Sequence, residues 1–200
     1  MTAGRLLAGV LLLAAVAVYL GPYRNGLQEE EALARIASVI AGREVRVDCP
    51  GTLAALTEVS AHDGSVRFQP DGRPGDEAKL SSKTCARLKS ILAGEVSGLG
   101  CLAHETRCGE EVERVAVAVN VLSHEAWHLR GERSEAAAQC YALQSNEDTA
   151  LRLGASPAEA QAVALFVLRH VQPALPPEYR TSDCRDGGPL DLDPERTAWP

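Results

Sequence analysis

The stretch from Val115 to His128 constrains this chain more than any other. Val115-Ala116-Val117-Ala118-Val119-Asn120-Val121-Leu122 is apolar nearly all round, and a helix without a polar face belongs in the middle of a domain. The run leads directly into Ser123-His124-Glu125-Ala126-Trp127-His128, so the spacing predicts one long helix over about 110–130. At 3.6 residues per turn, His124 and His128 stand one turn apart on the same face. Both imidazoles can then bind one metal ion, and the Glu125 carboxylate reaches a water held there. Burying two imidazoles and a carboxyl without partners is costly, and a metal supplies the reason for placing them there.

A catalytic zinc needs a third protein ligand and an open fourth position. Downstream, Gly131 suits a left-handed helix end and Ser134 suits the cap of a new helix that begins with Glu135. That reversal allows the Glu135 carboxylate to fold back toward the imidazoles, which makes it the favoured third ligand. Glu132 is the nearest competitor, although its place in the turn suits solvation; His62, His104 and His170 compete only if the fold brings them in.

The two helices resemble the core of gluzincin-type zinc metallopeptidases. The second is similar to the segment E-x-x-A-D-C-x-A of bacterial neutral zinc metallopeptidases, here Glu135-Ala136-Ala137-Ala138-Gln139-Cys140-Tyr141-Ala142. The resemblance implies His124, His128 and Glu135 as zinc ligands and Glu125 as general base. Where those enzymes carry a carboxylate that orients a ligating histidine, this chain has Gln139, and the connection between its helices is shorter. Gly131 fits the metzincin pattern HExxHxxGxxH, whose third histidine position is Ser134 here. The wider layout is similar to membrane-anchored actinobacterial proteins that carry an HExxH. It comprises an N-terminal anchor, a β hairpin, HEAWH, SEAAAQCYALQ and a tail with Tyr179-Arg180 and Cys184-Arg185-Asp186-Gly187-Gly188-Pro189.

The N-terminus indicates the compartment. Leu6 to Leu20 is an unbroken apolar stretch preceded by Arg5 and followed by Arg24 and Glu29-Glu30-Glu31, a charge order that keeps the N-terminus in the cytoplasm and exports the rest. An uncleaved transmembrane anchor (residues 1–25) is the favoured reading over a signal peptide cleaved after Ala15-Val16-Ala17, because Val18-Tyr19-Leu20 extends the apolar run past that site. All six cysteines, Cys49, Cys85, Cys101, Cys108, Cys140 and Cys184, lie beyond it. An even number in an exported domain suits up to three disulfides, against an alternative in which one or two are buried free thiols. Cys101 with Cys108, and Cys140 with Cys184, are candidate pairs. No CxxC exists, so neither a thioredoxin-type site nor a zinc ribbon is supported.

The exported part, residues 26–200, is expected to be one mainly α domain with a small antiparallel β hairpin, an α+β class built around the zincin-like helix pair. Leu33, Ile36, Ala37 and Ile40 fall at helical spacing within an amphipathic helix over 27–41. Val45–Val47, Leu56–Val59 and Ser65–Phe68 read as strands, with Asp63-Gly64 at a tight turn and the Pro-, Gly- and Asp-rich stretch 69–77 as a loop. Helices are expected over about 82–93, 110–130, 134–153 and 157–171, the last opened by Ser156-Pro157-Ala158-Glu159. From about 173 onward the chain reads as an extended arm. Trp127 reads as a packing residue, Glu147 and Asp148 as a solvated face, Arg185 as a salt bridge or cap and His62 as a surface turn residue. Tyr141 reads first as core; facing a metal, its phenol would stabilise an oxyanion.

Net charge is −7, and only three of the 20 basic residues are lysine. Without a basic patch, and with only 4% aromatic residues, nucleic acid and anionic lipid surfaces are poor partners. The expected function is zinc-dependent hydrolysis of a peptide or protein substrate outside the cytoplasm by a single-pass membrane protein. The alternative is a non-catalytic envelope protein stabilised by zinc or disulfides, whose site would be closed by a fourth side chain such as His104 or a cysteine. In a third reading, His124 and His128 are satisfied core histidines without a metal.

Overall fold

The computed structural model describes residues 26–51, 63–104, 108–195 and 199. The expected anchor, strand Leu56–Val59 and His62 lie outside them. No helix among the described residues is long and apolar enough to cross a membrane.

Helix α1 covers residues 26–41 and buries the expected stripe of Leu33, Ile36, Ala37 and Ile40. Three strands follow: β1 (Arg46–Asp48), β2 (Gly64–Phe68) and β3 (Pro74–Leu80). They form a mixed sheet in the order β1-β3-β2, with β1 parallel and β2 antiparallel to β3. An antiparallel hairpin is present, but it joins β2 to β3, whereas the sequence suggested one between Leu56–Val59, outside the described residues, and Ser65–Phe68. The turn lies at Pro70–Arg73, where the Gln69 N–H donates to the Arg73 carbonyl and Gly72 takes φ +84°. Asp63-Gly64 instead leads into β2.

The segment read as a loop over 69–77 contains the start of the central strand. Pro74, the first residue of β3, lies where a missing N–H is tolerated. Ala78 and Leu80 then point into the core while Lys79 is exposed, a short alternation obscured by the Pro-Gly-Asp run before it. The parallel partner β1 is remote in sequence, so nothing local could set its position.

The helices α2 (Ser82–Leu92), α3 (Glu110–Arg130), α4 (Glu135–Leu153) and α5 (Pro157–Phe166) match the periodicity closely. Their ends carry the expected signals. The Ser81 and Ser134 side chains accept from the N–H groups of Thr84 and Ala137, and Gly131 and Gly154 end helices in left-handed geometry at φ +119° and +107°. The Glu159 carboxylate accepts from both the Ser156 N–H and its hydroxyl at the start of α5. That helix passes into a π-helical turn over Val167–Val171.

α3 is the central element. It packs on α1, α2, α4 and the sheet, and Val115, Ala116, Ala118, Val119 and Leu122 are essentially inaccessible. Two arginines fasten its C-terminal end: Arg43 donates to the Leu129 and Gly75 carbonyls and pairs with Asp76, while Arg130 donates to the Ile40 carbonyl. Beyond the π turn, residues 172–192 run along α4 in short turns rather than as a free arm. The Cys140–Cys184 disulfide holds them, and Gln144 donates to the Leu190 carbonyl and accepts from the Leu192 N–H. Cys49–Cys85 and Cys101–Cys108 complete three disulfides, and no cysteine is free.

Candidate metal centre

The site forms where α3 reverses into α4. His124 and His128 project from one face of α3, and Gly131 allows a turn tight enough for Glu135, the first residue of α4, to point back at them. The three ligand atoms form a small triangle. His124 Nε2 lies 3.0 Å from Glu135 Oε2, His128 Nε2 lies 3.3 Å from the same oxygen, and the two imidazole nitrogens are 2.9 Å apart. These edges are close to the ligand spacing of about 3.3 Å that a tetrahedral zinc with bonds of about 2.0–2.1 Å requires.

His128 Nδ1 is 2.6 Å from the Glu132 carbonyl oxygen, which only accepts, so in a neutral ring the proton sits on Nδ1 and Nε2 presents a lone pair. Glu135 is an acceptor as well: the His124 hydrogen bond leads in holding its carboxyl below the usual carboxylate range, with both histidines adding Coulombic attraction against some burial. Neutral His124 has one proton to offer and cannot bridge all three edges. With both rings neutral, the contact between His128 Nε2 and Glu135 Oε2 sets lone pair against lone pair; positive charge relieves it, as a proton on a ring or as a metal ion held between the three atoms. His124 and His128, both buried, and the partly exposed Glu135 thus form a group whose donor set can hold a metal ion.

Glu125 is 5% exposed, and its Oε2 has no hydrogen-bond partner among the described residues. Burial, reinforced by the nearby Glu135 charge, pushes its carboxyl up to about 8. The start of β2 lies directly against it: a Cβ on Gly64 would fall 2.7 Å from Glu125 Cγ and Oε1. Glycine is therefore required here for close approach, not for an unusual backbone angle.

These groups line an open cleft of about 700 Å³. One wall is α3, a second is β2 at the edge of the sheet, and a third comes from Leu175, Pro176, Glu178 and Tyr179. The Tyr179 ring is 5.7 Å from that of His124, and Phe68 meets His128 edge-on at 6.0 Å. Burial and the neighbouring carboxylates of Glu135, Glu125 and Glu178 hold the Tyr179 phenol above its ordinary pKa, so it stays a hydrogen-bond donor at neutral pH.

Two sequence candidates sit elsewhere. Tyr141 stacks on Trp127, 4.6 Å between ring centroids, and does not line the cleft. Trp127 itself donates its indole N–H to Ser145, in keeping with a packing role. Gln139 touches the cleft wall, but its amide pairs with Asn120 and Gln172 rather than with a histidine. Among the described residues no carboxylate takes its place, and His124 Nδ1 has no partner. Glu132 contributes its backbone carbonyl to His128, while its side chain accepts from the Ser134 N–H. His104 and His170 line a neighbouring cavity.

Sequence reading missed Tyr179, Phe68, Gly64 and the Glu132 carbonyl. All but the last are brought in from distant elements, and Gly64 was hidden by its resemblance to a hairpin turn. No protein-family model matches this chain, and no curated protein or solved structure matches it.

Proposed function

We propose that this protein is a zinc-dependent peptidase that works outside the cytoplasm, with His124, His128 and Glu135 as metal ligands and Glu125 as general base. The observation that carries the reading is the convergence of three ligand atoms beside a buried carboxyl, whose Oε2 has no partner among the described residues, in an open cleft. Zinc held there would supply Lewis acidity, polarising a substrate carbonyl and acidifying water. The positive charge of a bound metal would oppose the burial that keeps the Glu125 carboxyl protonated, leaving a carboxylate beside the ligands that suits proton transfer in both directions. It takes a proton from the attacking water as oxygen bonds to the carbonyl carbon, and returns it to the amide nitrogen as the C–N bond breaks. Tyr179, whose ring lies 5.7 Å from that of His124, carries a phenol that would serve as a donor to the oxygen that gains negative charge. Glu132 fixes the His128 tautomer through its carbonyl.

The alternative of a closed structural site finds no support among the described residues. All six cysteines are in disulfides, His104 faces another cavity, and the metal-capable group contains three side chains. The three disulfides favour an oxidising compartment, in line with an exported, N-terminally anchored domain.

Elemental analysis of purified protein tests the reading, together with cleavage of a broad peptide library. We expect one zinc per chain in the wild type, loss of zinc in His124→Ala and Glu135→Ala, and retained zinc in Glu125→Gln with hydrolysis reduced by about 10²–10⁴. A wild type that takes up no zinc overturns the proposal. Zinc without cleavage of any peptide leaves a metal protein but not a peptidase.

A further inference from the structure

A second cavity, of about 640 Å³, lies along α3 toward its N-terminus. Val117, Val171 and Leu175 line both it and the metal cleft, so the two share a wall rather than sitting on separate faces. One stripe of α3 runs through both: Glu113 and Val117 in the second cavity, then Val117, Val121, His124 and His128 in the first. These positions recur at intervals of three or four residues, as one face of a helix does. From His124 to Glu113 is about 16 Å at 1.5 Å per residue, the length of about five residues of extended chain.

The far end of this groove has a distinct chemistry. Leu102, Phe166 and Val117 provide an apolar wall, and Phe166 is stacked with His170 at 5.2 Å. Of the charged residues there, Glu110 is paired with Arg114. Among the described residues, nothing pairs with the carboxylate of Glu113, which is half-buried. The metal cleft adds Asp63, Glu135 and Glu178 against Arg133, whose guanidinium lies over the Phe68 ring.

We infer that the two cavities form one groove for an extended polypeptide, and that its far end selects a lysine or arginine side chain through Glu113, about four or five residues from the bond at the metal. The inference deepens the peptidase reading and rests on it for the cleavage point. An apolar slot ending in a half-buried carboxylate suits a side chain with a methylene stem and a cationic head. The shared wall residues leave a way along the stripe from one cavity to the other. Glu113 is then a specificity-determining residue remote from the chemistry.

Binding provides a test that does not depend on turnover. Fluorescein-labelled ten-residue peptides carrying a single Arg, Gln or Glu at one end are titrated by anisotropy into zinc-supplemented full-length protein, as wild type, Glu113→Gln and Glu113→Arg. The wild type is expected to prefer the Arg peptide over the Glu peptide by roughly three- to tenfold, the Gln variant to lose most of that preference and the Arg variant to reverse it. Raised salt should shrink the preference. Equal affinities in the wild type, or a preference unchanged in both variants, overturn the inference. Thermal melts confirm that the variants are folded, and the paired variants separate a charge effect from a structural one. With the same peptides, cleavage without charge preference sinks the inference and spares the peptidase reading. Charge-selective binding without any cleavage sinks the peptidase reading and spares the groove.

Discussion

Glu125 is where the demands of folding and of the proposed chemistry conflict most sharply. In the metal-free protein its carboxyl holds a proton up to about pH 8, against 4.5 for an unperturbed glutamate. The folded state therefore binds more protons than the unfolded chain between these values. The stability this group contributes is fully present below pH 4.5 and is lost as pH rises through 8. Urea melts of chelator-treated protein should show this as a decline from pH 5 to pH 9 that Glu125→Gln reduces by on the order of 1–3 kcal/mol. An identical decline in both proteins would show that Glu125 is not the group responsible. Glu135 has the opposite sign, because its lowered pKa gives stability that disappears as pH falls through the folded value. Gly64 makes a separate prediction. In Gly64→Ala the new methyl overlaps Glu125, so the carboxyl or the strand must shift. We expect zinc stoichiometry to hold while kcat for peptide cleavage drops by about tenfold or more. Unchanged kcat would mean that the Glu125 position tolerates displacement.

At the scale of elements, the metal site depends on how firmly the last turn of α3 is held. Arg43 ties it to the sheet, donating to the Leu129 carbonyl through two nitrogens and, on β3, to the Gly75 carbonyl and Asp76. Arg43→Ala should cost about 1–3 kcal/mol in denaturant melts, since it strips charged donors from buried carbonyls. Metal affinity should fall with it, because His128 lies one residue before Leu129. A loss of stability without any loss of zinc affinity would separate the two roles. The helices were legible in the sequence because each carries its own boundary signals: Ser81, Ser134 and Ser156 at the starts, Gly131 and Gly154 at two of the ends. The sheet was less legible. Its central strand opens with Pro74-Gly75-Asp76, residues typical of a loop, and becomes a strand because β1 and β2 pair with it from both sides.

Across the whole molecule, three disulfides hold a small domain together, and the proposed metal would add a separate constraint. Cys140–Cys184 closes 44 residues of separation and fastens the segment that brings Tyr179 to the cleft. Replacing both cysteines by serine should lower stability by about 2–4 kcal/mol and weaken catalysis more than zinc binding, since the ligands lie on α3 and α4 and not on this segment. Equal losses in both would argue that the segment supports the metal site itself. Zinc should raise the unfolding temperature of the wild type in proportion to the logarithm of its free concentration, an effect absent in His124→Ala.

By itself the sequence determined the central buried helix, the one-turn spacing of His124 and His128, the neighbouring carboxyl of Glu125 and the reversal that returns Glu135. These follow from helical periodicity, helix caps and the cost of burying polar groups, all of which act within a few residues. Tertiary structure decided the rest: the order of the strands, the approach of Gly64 to Glu125, the placement of Tyr179 rather than Tyr141 beside His124, and the shared wall between the two cavities. Each of these joins segments tens of residues apart, where the packing of the whole domain, and not local preference, determines which side chains meet.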